Sequence, residues 1–77
     1  MTAPQNINGC DVIASAATGA TAATRAGHVV LVQRDTGYHP YVTAWLGIGD
    51  SQWNTGHYFV SLSEARDDFE KRARRGY

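Results

Sequence analysis

The run Val29-Val30-Leu31-Val32, set between His28 and Gln33-Arg34, is apolar on both faces of any strand that it forms. Side chains alternate across a strand, so Val29 and Leu31 point one way, Val30 and Val32 the other, and neither face can be left to water. Such a strand belongs either at the centre of a sheet covered on both sides or at a contact between two copies of the chain. In 77 residues that requirement is severe. The length allows one small domain, too little for a catalytic domain joined to a separate cofactor domain. The usual reinforcements of tiny domains are also missing: Cys10 is the single cysteine, and no cysteine–histidine spacing suggests structural zinc. Stability is therefore expected from packing or from self-association, with a homodimer as one expected solution.

Composition divides the chain near residue 27. Before it, alanine and threonine dominate, with Asp11 and Arg25 as the charges; all eight aromatic residues and all three histidines come after it. Residues 1–27 are expected to be either loosely held or to contribute one short strand at Cys10-Asp11-Val12-Ile13-Ala14, between the turn signals Asn8-Gly9 and Thr18-Gly19. A competing reading makes Ser15 to Ala23 a short helical stretch, against which Gly19 and the neighbouring threonines count. Residues 28–77 form the single folded domain. After the first strand, Asp35-Thr36-Gly37 reads as a turn with positive φ at Gly37, and Pro40 holds the following loop out of the ladder. Tyr41-Val42-Thr43-Ala44-Trp45-Leu46 returns antiparallel, a glycine-punctuated loop follows over 47–56 with Trp53 as its anchor, and His57-Tyr58-Phe59-Val60 is the next strand.

A helix over about 62–75 closes the chain. Ser61-Leu62-Ser63-Glu64 has the form of a capping box, Leu62, Ala65, Phe69 and Ala73 make an apolar stripe, and Gly76 is placed to end the helix. Asp67 with Lys71, Asp68 with Arg72 and Glu70 with Arg74 read as acid-first pairs on its exposed side. The expected fold is thus α+β: a small antiparallel sheet of three or four strands with one C-terminal helix packed across one face, in the order β-β-β-α.

Chemistry is sparse. His28, His39 and His57 lack the short spacings that put two metal ligands on one face, Cys10 has no base near it in sequence, and Gly47-Ile48-Gly49-Asp50-Ser51-Gln52 lacks the third glycine and the helix of a dinucleotide-binding turn. No catalytic residue, metal or cofactor is expected, and a histidine-centred enzyme is the weakest of the readings. Seven basic residues balance seven acidic ones, which removes any broad attraction to nucleic acid or to an anionic membrane. No basic, apolar leader and no membrane-length apolar run is present, so a cytoplasmic setting is expected.

Two surfaces stand out. Tyr41 and Trp45 share a strand face, with Tyr38, Trp53, Tyr58 and Tyr77 as neighbours in prospect. If the helix covers Val42, Ala44 and Leu46, that aromatic side stays open for a partner; the plainer reading has the N-terminal segment folding over it as a second core. Lys71, Arg72, Arg74 and Arg75 form a local basic patch, which could touch phosphates or an acidic groove but which a helix C-terminus also favours by itself.

At Tyr38-His39-Pro40-Tyr41-Val42-Thr43, then Trp53 with Gly56-His57-Tyr58-Phe59, then Glu64-Ala65 with Asp68-Phe69 and Arg72, the chain resembles small proteins carried by phages and plasmids, over residues 28–75. In size and style it is similar to the anti-CRISPR proteins. That resemblance implies a non-enzymatic protein-binding module, an inhibitor that blocks a protein surface of a bacterial defence complex in the host cytoplasm. It carries no residue roles, because those proteins share no sequence signature, and the acidic surface of the DNA-mimicking inhibitors is absent here. The expected partner-binding residues are Tyr38, Tyr41, Trp45, Trp53, Tyr58, Lys71, Arg72, Arg74 and Arg75. The alternative is a small nucleic-acid-binding accessory protein that uses the basic helix end for phosphates and the aromatic sheet face for stacking.

Overall fold

A computed structural model describes residues 5–7, 9–19, 26–34 and 38–77. The turn expected at 35–37 and the stretch 20–25 lie outside the described residues. The elements are β1 (Asn6–Ile7), β2 (Cys10–Thr18), β3 (Gly27–Gln33), β4 (Tyr41–Gly47), β5 (Asn54–Phe59) and α1 (Leu62–Arg75). All five strands pair antiparallel, in chain order, in one sheet. The α+β class and the C-terminal helix agree with the sequence, but the strand count is corrected from three or four to five. The strand beyond that count is β1, whose Asn6 and Ile7 pair with Asp11 and Cys10. β2, the short strand expected at Cys10–Ala14, is present but runs nine residues, well past Ala14, and pairs along β3 as far as Thr18 opposite Gly27. Small residues suffice for an outer strand, because backbone pairing with β3 supplies what their side chains do not. β5 also begins earlier than expected, at Asn54.

β3 is the central strand, and Val29, Val30, Leu31 and Val32 are all fully buried. Its two faces are covered by different means. The helix lies against β3 and β4, on the side that carries Val29, Leu31, Thr43 and Trp45, with Ala65 buried beneath it. On the other side Val30, Val32, Val42, Ala44 and Leu46 form a cluster that includes Ile7. Ile7 pairs with Cys10 at the far edge of the sheet and yet packs on β3 and β4, so the sheet curls back on itself. Cys10, Val12 and Trp53 complete that second layer.

A register shift between Val12 and Ala14 lets one strand serve both layers. Val12 lies opposite Val32, whereas Ala14 and Ala16 lie opposite Leu31 and Val29. Cross-strand partners share a face, so β2 contributes to the curled layer before the bulge and to the helix side after it, while Ile13 is left partly exposed.

The helix begins and ends as its sequence dictates. Ser61 has extended backbone angles and its hydroxyl accepts the Glu64 amide, while Gly76 is left-handed and its N–H donates to the Arg72 carbonyl. At the opposite end of the sheet Gly27 is required by close approach. A Cβ there would lie 2.5 Å from the Leu46 carbonyl oxygen and 2.8 Å from the Trp45 ring. Gly27→Ala is therefore expected to lower stability by about 1–3 kcal/mol, since either the Trp45 ring or the β3–β4 pairing must shift; urea unfolding followed by tryptophan fluorescence measures it.

Candidate functional site

The helix face turned to the sheet carries two charged residues. Ala65, Asp68 and Arg72 follow one another at steps of three and four along the buried side of α1. Arg72 is 2% exposed, one of the largest buried side chains described. Its guanidinium spans two strands: Nη1 donates to the Thr43 carbonyl at 3.1 Å and to the Thr55 carbonyl at 2.8 Å, and Nη2 donates to Thr55 Oγ1 at 3.1 Å. Thr55 has φ 48°, a left-handed conformation that a β-branched residue rarely takes. It sits where β5 carries one more residue than β4, between the pairs Thr43–His57 and Trp45–Asn54. The guanidinium fork thus secures the bulge by its carbonyl and its hydroxyl at once, and a planar donor set suits that geometry. The Arg72 Nε is buried without a hydrogen-bond partner. Burial pushes the guanidinium down from its ordinary range, against which the Asp68 carboxylate acts.

Asp68 accepts from the Thr43 hydroxyl and lies 3.0 Å from His57 Nδ1. Burial works to raise its carboxyl, but the Thr43 and His57 hydrogen bonds and the charges of His57 and Arg72 outweigh that, so it is held below the ordinary carboxylate range. A carboxylate beside an imidazole is part of a nucleophile-activating arrangement. Here, however, the hydroxyl bonds the carboxylate rather than the imidazole and is not placed to be activated. The geometry is that of a clip joining α1 to β4 and β5. The reading of Asp68 and Arg72 as a surface pair is corrected: they serve the sheet. Their positions between Ala65, Phe69 and Ala73 on the apolar stripe were the sequence signal for this.

The expected aromatic face is also rearranged. Because α1 covers the Tyr41, Thr43 and Trp45 side, Trp45 is only 9% exposed and Tyr41 is half-buried, so Trp45 is a core residue rather than an open contact. The cover comes from the helix, and the N-terminal segment covers the opposite face instead. Tyr58, Trp53 and Tyr38 have a different fate. Tyr58 lies opposite Val42, on the side away from α1, and the Arg34 guanidinium sits 4.8 Å from its ring centroid. Arg34 is itself fixed by donating to the His39 carbonyl at 2.7 Å, next to Tyr38, which is 90% exposed. A Cβ on Gly56 would lie 3.1 Å from the Tyr58 ring and 3.3 Å from Trp53 Nε1, so both rings converge over this glycine. Trp53, Tyr58, Arg34 and the loop bearing Tyr38 thus form a row on the helix-free face. In the sequence Arg34 carries no signal of this role and stands only as the polar end of a strand.

The basic patch at the helix end is thinner than its sequence. Arg72 is internal, and Arg75 donates twice to the Tyr77 carbonyl with its guanidinium 4.4 Å from the Tyr77 ring centroid. Lys71 and Arg74 remain exposed. The loop after β4 forms an open polar hollow lined by Asp50, Ser51, Gln52 and Asn54. Among the described residues no group of three or more His, Cys, Asp or Glu side chains could hold a metal ion, and no helix is long and apolar enough to cross a membrane.

Compared with protein families, with curated proteins and with solved structures, the chain matches none.

Two consequences of the buried cluster are measurable. Arg72→Lys is expected to destabilise the fold by about 1.5–3 kcal/mol in chemical denaturation, because one ammonium cannot serve both Thr43 and Thr55. The depressed Asp68 carboxyl contributes stability that is fully present above its unfolded-state value near 3.8 and is lost as pH falls through its lower folded-state value. Acid titration of the wild type should show this loss, and Asp68→Asn should be less stable near neutrality but flatter across the acid range.

Proposed function

We propose that this chain is a non-enzymatic protein-binding module of mobile-element origin, an inhibitor that occupies a surface of a host defence complex. It binds through the row of Trp53, Tyr58, Arg34 and Tyr38 on the face turned away from α1. The observation that carries the reading is the stacked Arg34–Tyr58 pair with Trp53 converging beside it over Gly56. Trp, Tyr and Arg are the side chains that dominate binding energy at protein contacts. Here two of them are held in place before any partner arrives, which reduces the ordering cost of association. The buried polar groups support the same reading from the other side, since Thr43 bonds the Asp68 carboxylate and Arg72 serves the backbone. The basic helix end, with Arg72 inside and Arg75 turned onto Tyr77, is left as a secondary contact through Lys71 and Arg74.

The test uses a partner captured from host lysate by the wild-type chain. Combining Tyr38→Ala with Arg34→Ala is expected to weaken that complex about tenfold or more while leaving the circular dichroism spectrum unchanged. Lys71→Ala with Arg74→Ala should change the affinity little, and binding should depend weakly on salt. If the helix pair of substitutions abolishes binding instead, and affinity falls steeply with ionic strength, the chain is a nucleic-acid-binding protein and the aromatic row is the wrong surface.

A further inference from the structure

Hydrogen-bond parity in the sheet determines what β5 presents to its open side. The Arg34 N–H donates to the Pro40 carbonyl and the Ile48 N–H donates to the Ala26 carbonyl, at the two ends of the β3–β4 ladder. In an antiparallel pair the bonded positions alternate, so between those ends His28–Leu46, Val30–Ala44 and Val32–Val42 are the bonded pairs. Tyr41 and Thr43 must then direct their backbone groups the other way, to Phe59 and His57 of β5. Tyr58, between these two, directs both its N–H and its C=O away from β4 onto the edge of the sheet. No described strand pairs with that edge, and the Tyr58 side chain is 46% exposed.

We propose that β5 pairs with β5 of a second copy of this chain, antiparallel about a twofold axis at Tyr58, to make a continuous ten-stranded sheet. The inference rests on backbone pairing and does not depend on the aromatic row being a partner site. Residues 54–60 read Asn-Thr-Gly-His-Tyr-Phe-Val, without a Lys, Arg, Asp, Glu or Pro. Those are the residues with which monomeric proteins protect a sheet edge from pairing. The register is self-complementary. With Tyr58 opposite Tyr58 of the partner subunit, the two tyrosines exchange both backbone bonds, and Gly56, which has no side chain, faces the bulky Val60 across the axis. His57 faces Phe59 on the helix side. Centring the axis on Gly56 would put the Thr55 bulge in the ladder, and centring it on Val60 would use the bend that leads to α1.

Charge favours the same arrangement. A twofold axis perpendicular to the sheet sets both helices on one face and antiparallel, so the acidic first half of each, with Glu64 and Asp67, runs in the sense opposite to the basic second half of the other, with Lys71 and Arg74. On the other face the axis brings together two Arg34–Tyr58 stacks as an aromatic cross-strand pair.

Sedimentation equilibrium of the full chain over a concentration series is the test. The wild type should approach twice the 8.4 kDa mass of one chain as concentration rises. Tyr58→Pro removes the outward N–H, together with the ring stacked on Arg34, and leaves the β4–β5 backbone bonds intact, so it should be folded by circular dichroism and monomeric throughout. Val60→Lys sets a charge against the edge and should also be monomeric; it decides the matter if Tyr58→Pro fails to fold. In a Cys10→Ser background, Tyr58→Cys should form a disulfide-linked dimer under mild oxidation, because bonded antiparallel partners stand about 5.5 Å apart between Cα atoms. A wild type that stays monomeric at several hundred micromolar would overturn the proposal. So would folded Tyr58→Pro and Val60→Lys proteins that dimerise as the wild type does.

Discussion

The burial of β3 on both faces governs the architecture. Four consecutive apolar residues in a 77-residue chain demand two covers, and the described residues give one helix. The second cover is made by curling the sheet, so that Ile7 from the far edge and Trp53 from the β4–β5 loop close over Val30, Val32, Val42, Ala44 and Leu46. An alanine-rich strand is suited to this. β2 has few bulky side chains to resist coiling, and its bulge at Ile13 lets it line one layer with Val12 and the other with Ala14 and Ala16.

The helix side is held by polarity as much as by apolar contact. Arg72 reaches through the layer to Thr43 and Thr55, and Asp68 ties Thr43 and His57. A buried guanidinium is tolerated only where its donors find fixed acceptors, and the bulge in β5 supplies them by turning the Thr55 carbonyl and hydroxyl inward. The bulge in turn ends the regular part of β5, which leaves His57 to Phe59 as the stretch whose backbone alternation is undisturbed. The buried cluster therefore sets how much of the open edge is regular enough to pair.

The same division of faces decides which aromatic residues can meet a partner. A helix laid on the Tyr41–Trp45 side removes Trp45 from any surface and makes it part of the core above Gly27. Of the rings left outside, Tyr77 is taken by Arg75, while Tyr58 on β5, stacked by Arg34, has Trp53 and the loop of Tyr38 beside it. Functional candidates in so small a protein are among what the packing of the core does not consume, and on the helix-free face Arg34, Tyr38, Tyr58 and half of Trp53 remain.

Local sequence signals were enough for the helix and its caps, for the three strands after residue 27 and for the α+β class, because capping, periodicity and turn chemistry act over a few residues. The double burial of β3 was also legible, since it follows from four adjacent side chains alone. Three things were not. The length of β2 depends on pairing with β3, which no propensity of alanine or serine reveals. The inward turn of Asp68 and Arg72 was hinted at by their place on the apolar stripe, but it depends on hydrogen-bond partners from residues 43, 55 and 57, remote in the chain. Above all, which face of β4 lies under the helix was undetermined, because Val42-Ala44-Leu46 and Tyr41-Thr43-Trp45 are both apolar enough to be buried. Only the tertiary structure chose between them: the polar groups of Thr43, Thr55 and His57 match those of Asp68 and Arg72 on that side alone.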